Sequence, residues 1–269
     1  MLFRSEHYFF KNIVTSGYRC PSHQHMSTMK RHLLTPILLL INVVAISQDK
    51  IIYDANAEKR EVGSFQSIRV SDGIDLYLSQ STAEGVVVSA TEIAQRDKMR
   101  TVVENGELKI FVSGGGFNWK GRKFKAYVSV KTLNKLRASG GSDIIVQGEL
   151  KLDKLTLELA GGSDFNGQVA VTDLTVDQNG GSDVHMKGSV VNLRIDAHGG
   201  SDFKAEELVA EYAIIDVSGG SDATLTVNKE MAAEASGGSD VKYKGHPVIK
   251  YKSATGGGSV RNVDKTLSI

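Results

Sequence analysis

Six aspartates stand at nearly even intervals in the second half of the chain, at Asp143, Asp164, Asp183, Asp202, Asp222 and Asp240. Each closes a Gly-Gly-Ser-Asp tetrapeptide, and the successive steps are 21, 19, 19, 20 and 18 residues. In register, these carboxylates would form a ladder along one edge of the fold. Two unit charges ~5 Å apart repel by roughly 0.8 kcal/mol in water, and by more where water is excluded. Hydrogen bonds from turn amides can relieve that repulsion; Ca2+, which takes several oxygen ligands, is the alternative. The calcium-binding nonapeptide G-G-x-G-x-D-x-U-x is not matched, because Gly-Gly-Ser-Asp lacks its third glycine. No other cofactor is implied.

A second cluster is GFNWKGRKFK (116–125), where Lys120, Arg122, Lys123 and Lys125 stand among Phe117, Trp119 and Phe124. Cations interleaved with aromatics can grip nucleic acid or an anionic glycan. Gly116 and Gly121 have P-loop spacing, but Arg122 and Lys123 replace the Lys-Ser/Thr that a nucleotide needs. As a ligand contact the segment points to polysaccharide, through Trp119, Lys120, Arg122, Lys123 and Lys125; as plain structure it is a solvated hairpin tip. For catalysis there is less. Beyond residue 47 the histidines are His185, His198 and His246, with neither HExxH nor GxSxG. The aspartates are too regular to form a site, since identical residues on every repeat are architecture and a site breaks the repeat. No catalytic residue is assigned.

The elements that carry these residues follow from the repeat. LTLELAGGSD (155–164), LTVDQNGGSD (174–183), LRIDAHGGSD (193–202) and IIDVSGGSD (214–222) alternate apolar and polar residues before the glycines. A second short alternation follows each Asp, as in FNGQVAV (165–171) and VHMKGSV (184–190). Period 2 means strand, and a period near twenty residues means a solenoid. The predicted fold is all-β: a β-helix with the Gly-Gly-Ser-Asp turns stacked on one edge. Gly257-Gly258-Ser259-Val260 reads as a seventh, worn copy with valine in the Asp position. KAEELVAEYA (204–213) and NKEMAAEA (228–235) favour helix by composition, but both keep the repeat register and read as wider turns or outward bulges.

Residues 48–137 are strand-rich without the period. SFQSIRV (64–70), GIDLYLS (73–79), GVVVSA (85–90) and KAYVSV (125–130) read as strands, and TVVENGELKIFV (101–112) as a hairpin turning at Asn105-Gly106. SDGID (71–75) and SGGG (113–116) resemble decayed copies of the turn. These residues are read as first coils and N-terminal cap, continuous with the repeats of 138–269 in one domain, 48–269.

Of 269 residues, 32 are basic and 31 acidic, which gives no reason to expect a nucleic-acid partner. MKRHLLTPILLLINVVAISQDK (29–50) has a basic start, an apolar run over 33–46 and Ala45-Ile46-Ser47 as a cleavage site. Those are the parts of a secretory signal peptide, 29–47, and the run is short of the ~20 residues that span a bilayer. Residues 1–28 read as an extension ahead of the true start, and the exported chain is expected to begin at Gln48. It would keep 27 basic and 30 acidic residues and lose Cys20, the only cysteine. Disulfide scaffolds and Cys-ligated zinc are thereby excluded.

The six Gly-Gly-Ser-Asp copies, the Asn105-Gly106-Glu107-Leu108-Lys109-Ile110 hairpin and SIRVSDGIDLYL (67–78) resemble the bacterial head GIN domain family, described as auto-transporter adhesins, over roughly 50–260. The resemblance implies a right-handed β-helix shaped like pectin lyases without their catalytic residues, and an adhesion role. It supplies no catalytic residue. RNVDKTLSI (261–269) shows neither heptads nor terminal amphipathic strands, so the expectation is either that another protein anchors the chain or that it is a soluble exported domain. The functional expectation is an exported, non-enzymatic surface module that binds glycan or a cell-envelope partner, in the periplasm, at the outer-membrane surface or outside the cell. The rivals are a carbohydrate-active enzyme and a periplasmic structural or envelope accessory protein. Oligomeric state is left open.

Overall fold

The computed structural model describes residues 54–114 and 123–264. The N-terminal part supplies β1 (Glu58–Arg60), β2 (Ser67–Val70), β3 (Ile74–Gln80), β4 (Gly85–Ala90), the single-turn α1 (Ile93–Arg96), β5 (Met99–Glu104), β6 (Glu107–Val112), β7 (Phe124–Val130) and β8 (Lys135–Ala138). The repeats supply β9 (Ile144–Ala160), β10 (Phe165–Asn179), β11 (Asp183–His198), β12 (Asp202–Ser218) and β13 (Asp222–Ala235). The chain continues through β14 (Asp240–Lys244), β15 (Val248–Ala254) and β16 (Ser259–Asn262).

Each repeat is one long strand folded around a core. In β10, Phe165, Val169 and Val171 point inward, and so do Leu174, Val176 and Gln178. Between the two runs, Thr172 and Asp173 both face out. That slip of one residue turns the chain so that both runs keep their apolar side on a shared interior. The same slip falls at Val191-Asn192 and Glu211-Tyr212. Run after run pairs in parallel: Phe165 lies beside Val184, Val184 beside Phe203 and Phe203 beside Ala223. The result is a β-solenoid of about 7 turns with coils about 19 residues apart. Strands that follow a turn form a front sheet; strands that precede it form a back sheet.

The turns are held from inside. Gly180 and Gly181 adopt φ of 73° and 77°, a left-handed pair that reverses the chain. The serine after each pair is fully buried, at Ser142, Ser163, Ser182, Ser201, Ser221 and Ser239. Its hydroxyl accepts the backbone N–H of the equivalent residue one coil earlier: Ser142 donates to Ser163 Oγ at 3.0 Å, Ser201 to Ser221 Oγ at 3.0 Å and Ser221 to Ser239 Oγ at 3.1 Å. The same hydroxyl donates within its own turn, from Ser182 to the Asn179 carbonyl at 3.0 Å and from Ser201 to that of His198 at 3.1 Å. A buried column of serines therefore runs along the stack.

Two readings of the turn copies change in detail. Val70 pairs with Ala138 and Leu76 with Ile144, so Asp72-Gly73-Ile74-Asp75 occupies the place of Gly140 to Asp143. Asp72 and Gly73 take φ of 64° and 67°, and the Ile74 N–H donates to Ser142 Oγ at 3.1 Å. At the other end Asp240 pairs with Ser259 and Val241 with Val260. The last copy is therefore Gly256-Gly257-Gly258-Ser259, one residue earlier than the sequence suggested. Val260 is core, and Ser259 stands in the Asp position. The segments with helical composition are strand. Met231, Ala233 and Ala235 are buried, alternating with Ala232 and Glu234, while the β12–β13 pairing shifts near 206–208 and 228–229 and the β13–β15 pairing between Met231 and Ala232. Pairing with neighbouring coils overrides intrinsic preference.

The N-terminal coils are stacked out of chain order. β2 pairs in parallel with both β6 and β8, and β3 with both β7 and β9. The coil made by β6 and β7 thus lies outside that of β2 and β3. Antiparallel β5 covers β6, and antiparallel β4, edged by β1, covers β7. β1 is short and reads Glu58-Lys59-Arg60, a charged edge that resists further pairing.

The stabilities of three variants test these contacts. Ser201→Ala strands the buried Ser182 N–H and takes a donor from the His198 carbonyl, and its unfolding free energy should fall by about 1–3 kcal/mol in denaturant titration. Gly181 has open space around a would-be Cβ, so Gly181→Ala should lose about 1–2 kcal/mol from its left-handed φ alone. At Gly188 a Cβ would lie 2.0 Å from the Val169 carbonyl oxygen, so Gly188→Ala should lose more.

Candidate functional site

On the outer face of the front sheet, the turn aspartates form one column: Asp75, Asp143, Asp164, Asp183, Asp202, Asp222 and Asp240. Backbone amides and lysines relieve its repulsion. The N–H of Asp183 donates to Asp164 Oδ1 at 3.0 Å, and that of Asp240 to Asp222 Oδ1 at 3.1 Å. Lys204 bridges Asp183 and Asp202 at 3.1 and 2.9 Å, and Lys242 reaches Asp222 and Asp240 at 3.1 and 3.6 Å. Among the described residues, no group of three or more His, Cys, Asp or Glu is arranged to hold a metal ion.

The N-terminal third of the column lacks the bridging lysines. Among the described residues, no lysine or arginine forms an ion pair with Asp75, Asp143 or Asp164. Burial pushes the Asp143 carboxyl above the usual range, and the charges of Asp164 and Asp75 add to the effect. Burial raises Asp75 as well, against the pull of Lys123 and Lys125. Lys125 pairs directly with Asp75 across the strands, and its ammonium lies 3.4 Å from Asp54. Burial would lower that ammonium, but Tyr127 and Asp54 outweigh it and hold it above the ordinary value. Tyr127 stacks on Tyr77 with ring centroids 5.0 Å apart. Lys123 is exposed at the start of β7, where its N–H donates to Thr91 Oγ1 at 3.1 Å.

Of the predicted ligand contacts, the structure thus brings Lys123 and Lys125 together at the N-terminal end of the front sheet. Trp119, Lys120 and Arg122 lie outside the described residues. The sequence reading missed Asp54, Asp75, Tyr77 and Tyr127. Only Asp75 carried a signal, as the last residue of the decayed turn copy. The histidines do not converge: His185 and His246 are exposed, and His198 Nδ1 sits 2.6 Å from Ser218 Oγ on the back sheet.

The back sheet carries a shallow groove of about 670 Å3, lined in part by Arg69, Arg137, Glu158, Asp177, Asp196 and His198. Arg137 donates to Glu158 and Glu107, both at 2.6 Å, and Lys135 also pairs with Glu158. Burial would raise Glu158, but Lys135 and Arg137 hold it below the usual range. Asp177 behaves in the opposite way, raised by burial and then by Asp196 and Glu158. A raised carboxylate in a groove is a mark of functional sites, though ion-pair networks also produce it.

Residues 64–247 fit the family described as "Putative auto-transporter adhesin, head GIN domain". The chain belongs to that family. Among solved structures it is similar to an adhesin so described from Bacteroides fragilis, with TM-score 0.70, 23% identity and coverage of 77% of this chain and 96% of that one. A protein from Parabacteroides distasonis, titled a lipid binding protein, matches with TM-score 0.58, 20% identity and coverage of 78% and 98%. An adhesin so described from Parabacteroides merdae matches with TM-score 0.57, 17% identity and coverage of 77% and 95%. At these identities the likeness is one of fold. No curated protein matches the chain.

In this head GIN solenoid the end of the aspartate column without bridging lysines has a measurable consequence. Folded Asp143 holds its proton more tightly than the unfolded chain does, so its contribution favours folding at low pH and is lost as pH rises through the raised value. Asp143→Asn should therefore raise the denaturation midpoint at pH 7. The advantage over the parent should shrink on acidification and vanish below about pH 4, the ordinary aspartate range.

Proposed function

We propose that this head GIN solenoid is an exported, non-enzymatic adhesion-type module, and that the N-terminal end of its front sheet contacts an anionic envelope glycan. The observation that supports this is where the repeat breaks. Elsewhere the turns between long strands take four or fewer residues, as at Gly161–Asp164, whereas β6 and β7 are joined by residues 113–123. That connection contains Trp119, Lys120 and Arg122 and ends at Lys123, two residues before Lys125. Cations beside half-buried Asp75 and the paired tyrosines suit a ligand with both negative charge and hydroxyl groups. Among the described residues no helix is long and apolar enough to cross a membrane. Export rests on the leader at 29–47.

The enzyme reading has one observation in its favour, the groove with Asp177, Glu158, Asp196 and Arg69. Against it, acidic residues recur at the same register on the next coils, at Asp216 and Glu234. The groove's carboxylates are thus part of the repeating pattern, whereas a cleavage site needs acidic residues set apart from it.

The two readings separate in one set of assays with purified protein. Acidic cell-envelope polysaccharide should bind the chain, and Lys123→Ala with Lys125→Ala should weaken binding by about tenfold, ~1.4 kcal/mol. No product should accumulate on long incubation. Polysaccharide cleavage that disappears in Asp177→Asn would overturn the proposal in favour of an enzyme. Protein recovered from its host should begin near Gln48.

A further inference from the structure

The outer face of the back sheet carries a second charged column, and its sign reverses part-way along. Strand register places Lys109, Arg69 and Arg137 in line on β6, β2 and β8. The same line continues through Glu158, Asp177, Asp196, Asp216 and Glu234 on β9 to β13. Three cations are thus followed by five carboxylates at successive strand spacings of ~4.8 Å. Among the described residues Asp177, Asp216 and Glu234 form no ion pair, unlike the aspartates bridged on the front sheet. Arg194 engages Asp196 at 2.8 Å. At the basic end Arg69 is exposed, and its ion pair to Glu107 is 3.5 Å long.

We infer that this face is an interface between two copies of the chain, packed back to back and antiparallel. A column that is positive at one end and negative at the other complements itself when one copy is rotated by a two-fold axis lying in the interface, at right angles to the stack. With the axis between Arg137 and Glu158, where the sign changes, Arg69 faces Asp177 of the second copy and Lys109 faces its Asp196. The groove at this junction gives the long Arg69 side chain room on a flat sheet face. A two-fold contact of this kind closes on itself, so it stops at a dimer. A parallel arrangement would set carboxylate against carboxylate along five coils and is repulsive.

The test is the mass of the purified chain in solution, by sedimentation velocity or light scattering, with circular dichroism to confirm that each variant is folded. The parent should be dimeric at low ionic strength and dissociate in 1 M salt, because exposed charge pairs are screened. Asp177→Lys and Arg69→Glu should each weaken self-association by about tenfold or more. An equimolar mixture of the two variants should recover a dimer, since their columns are then complementary. Three results would overturn the inference: a parent monomeric at low salt and tens of micromolar, a dimer indifferent to both substitutions, or a mixture that fails to associate. If Asp177→Lys does not fold, Asp177→Asn with Arg69→Ala carries the same comparison. Glycan binding through Lys123 and Lys125 is measured on the front sheet and is unaffected by either variant, so the two proposals stand or fall separately.

Discussion

The buried serine hydroxyl is the constraint on which the rest of this structure depends. Two left-handed glycines reverse the chain in almost no length, but the next backbone N–H then points along the stack without a strand partner. Leaving such a donor buried and unpaired costs about 1–3 kcal/mol. The serine one coil further on accepts that hydrogen and passes its own to a carbonyl in its turn, as Ser201 does to His198. Each coil therefore requires the next, and each must bring its serine to the same height. The column ends where the hydroxyl is absent, at Ile74 on the β2–β3 coil and at Gly258 on the last coil, which fill the equivalent positions.

Once that column is set, alternation decides what the surfaces carry. Residues beside the serine point out and fall into lines one strand spacing apart, so any charge in the repeat becomes a column of like charge. The front sheet answers with Lys204 and Lys242, placed two residues after an aspartate so that each lies between two carboxylates. Closer to the cap, that partner position holds Ile145 or Asn166, and Asp143 is left with its proton affinity raised. On the back sheet the relief is local, with Arg137 across Glu107 and Glu158 at one end and Arg194 on Asp196 further along. Repetition that makes the core stable thus concentrates charge outside it.

This separates architecture from function within a head GIN solenoid. Uniform coils offer long, flat surfaces suited to an extended ligand or another protein. The cap is where the chain departs from uniformity: β4 and β5 pair antiparallel, and the connection at 113–123 replaces a four-residue turn. Lys125, Asp54, Asp75, Tyr77 and Tyr127 meet at that departure, from strands distant in sequence but adjacent in the stack.

The sequence by itself determined the strands, the repeat and the turn chemistry, because these follow from residues within one coil. Leu174 and Val176 against Thr175 and Asp177 declare a strand, and Gly180-Gly181 declares its end. The tertiary structure alone decided which coil lies against which. Nothing in residues 64–130 announces that β6 and β7 precede β2 and β3 in the stack, since that order depends on pairings tens of residues apart. The same reason hid the shift of the last copy to Gly256–Ser259, the strand character of 204–213 and the meeting of Lys125 with Asp75. The two charged columns were half visible: the glycine-serine motif flagged Asp143 and its equivalents, whereas Arg137, Glu158 and Asp177 share no motif. Only parallel register, fixed by the buried serines, brings them into one line.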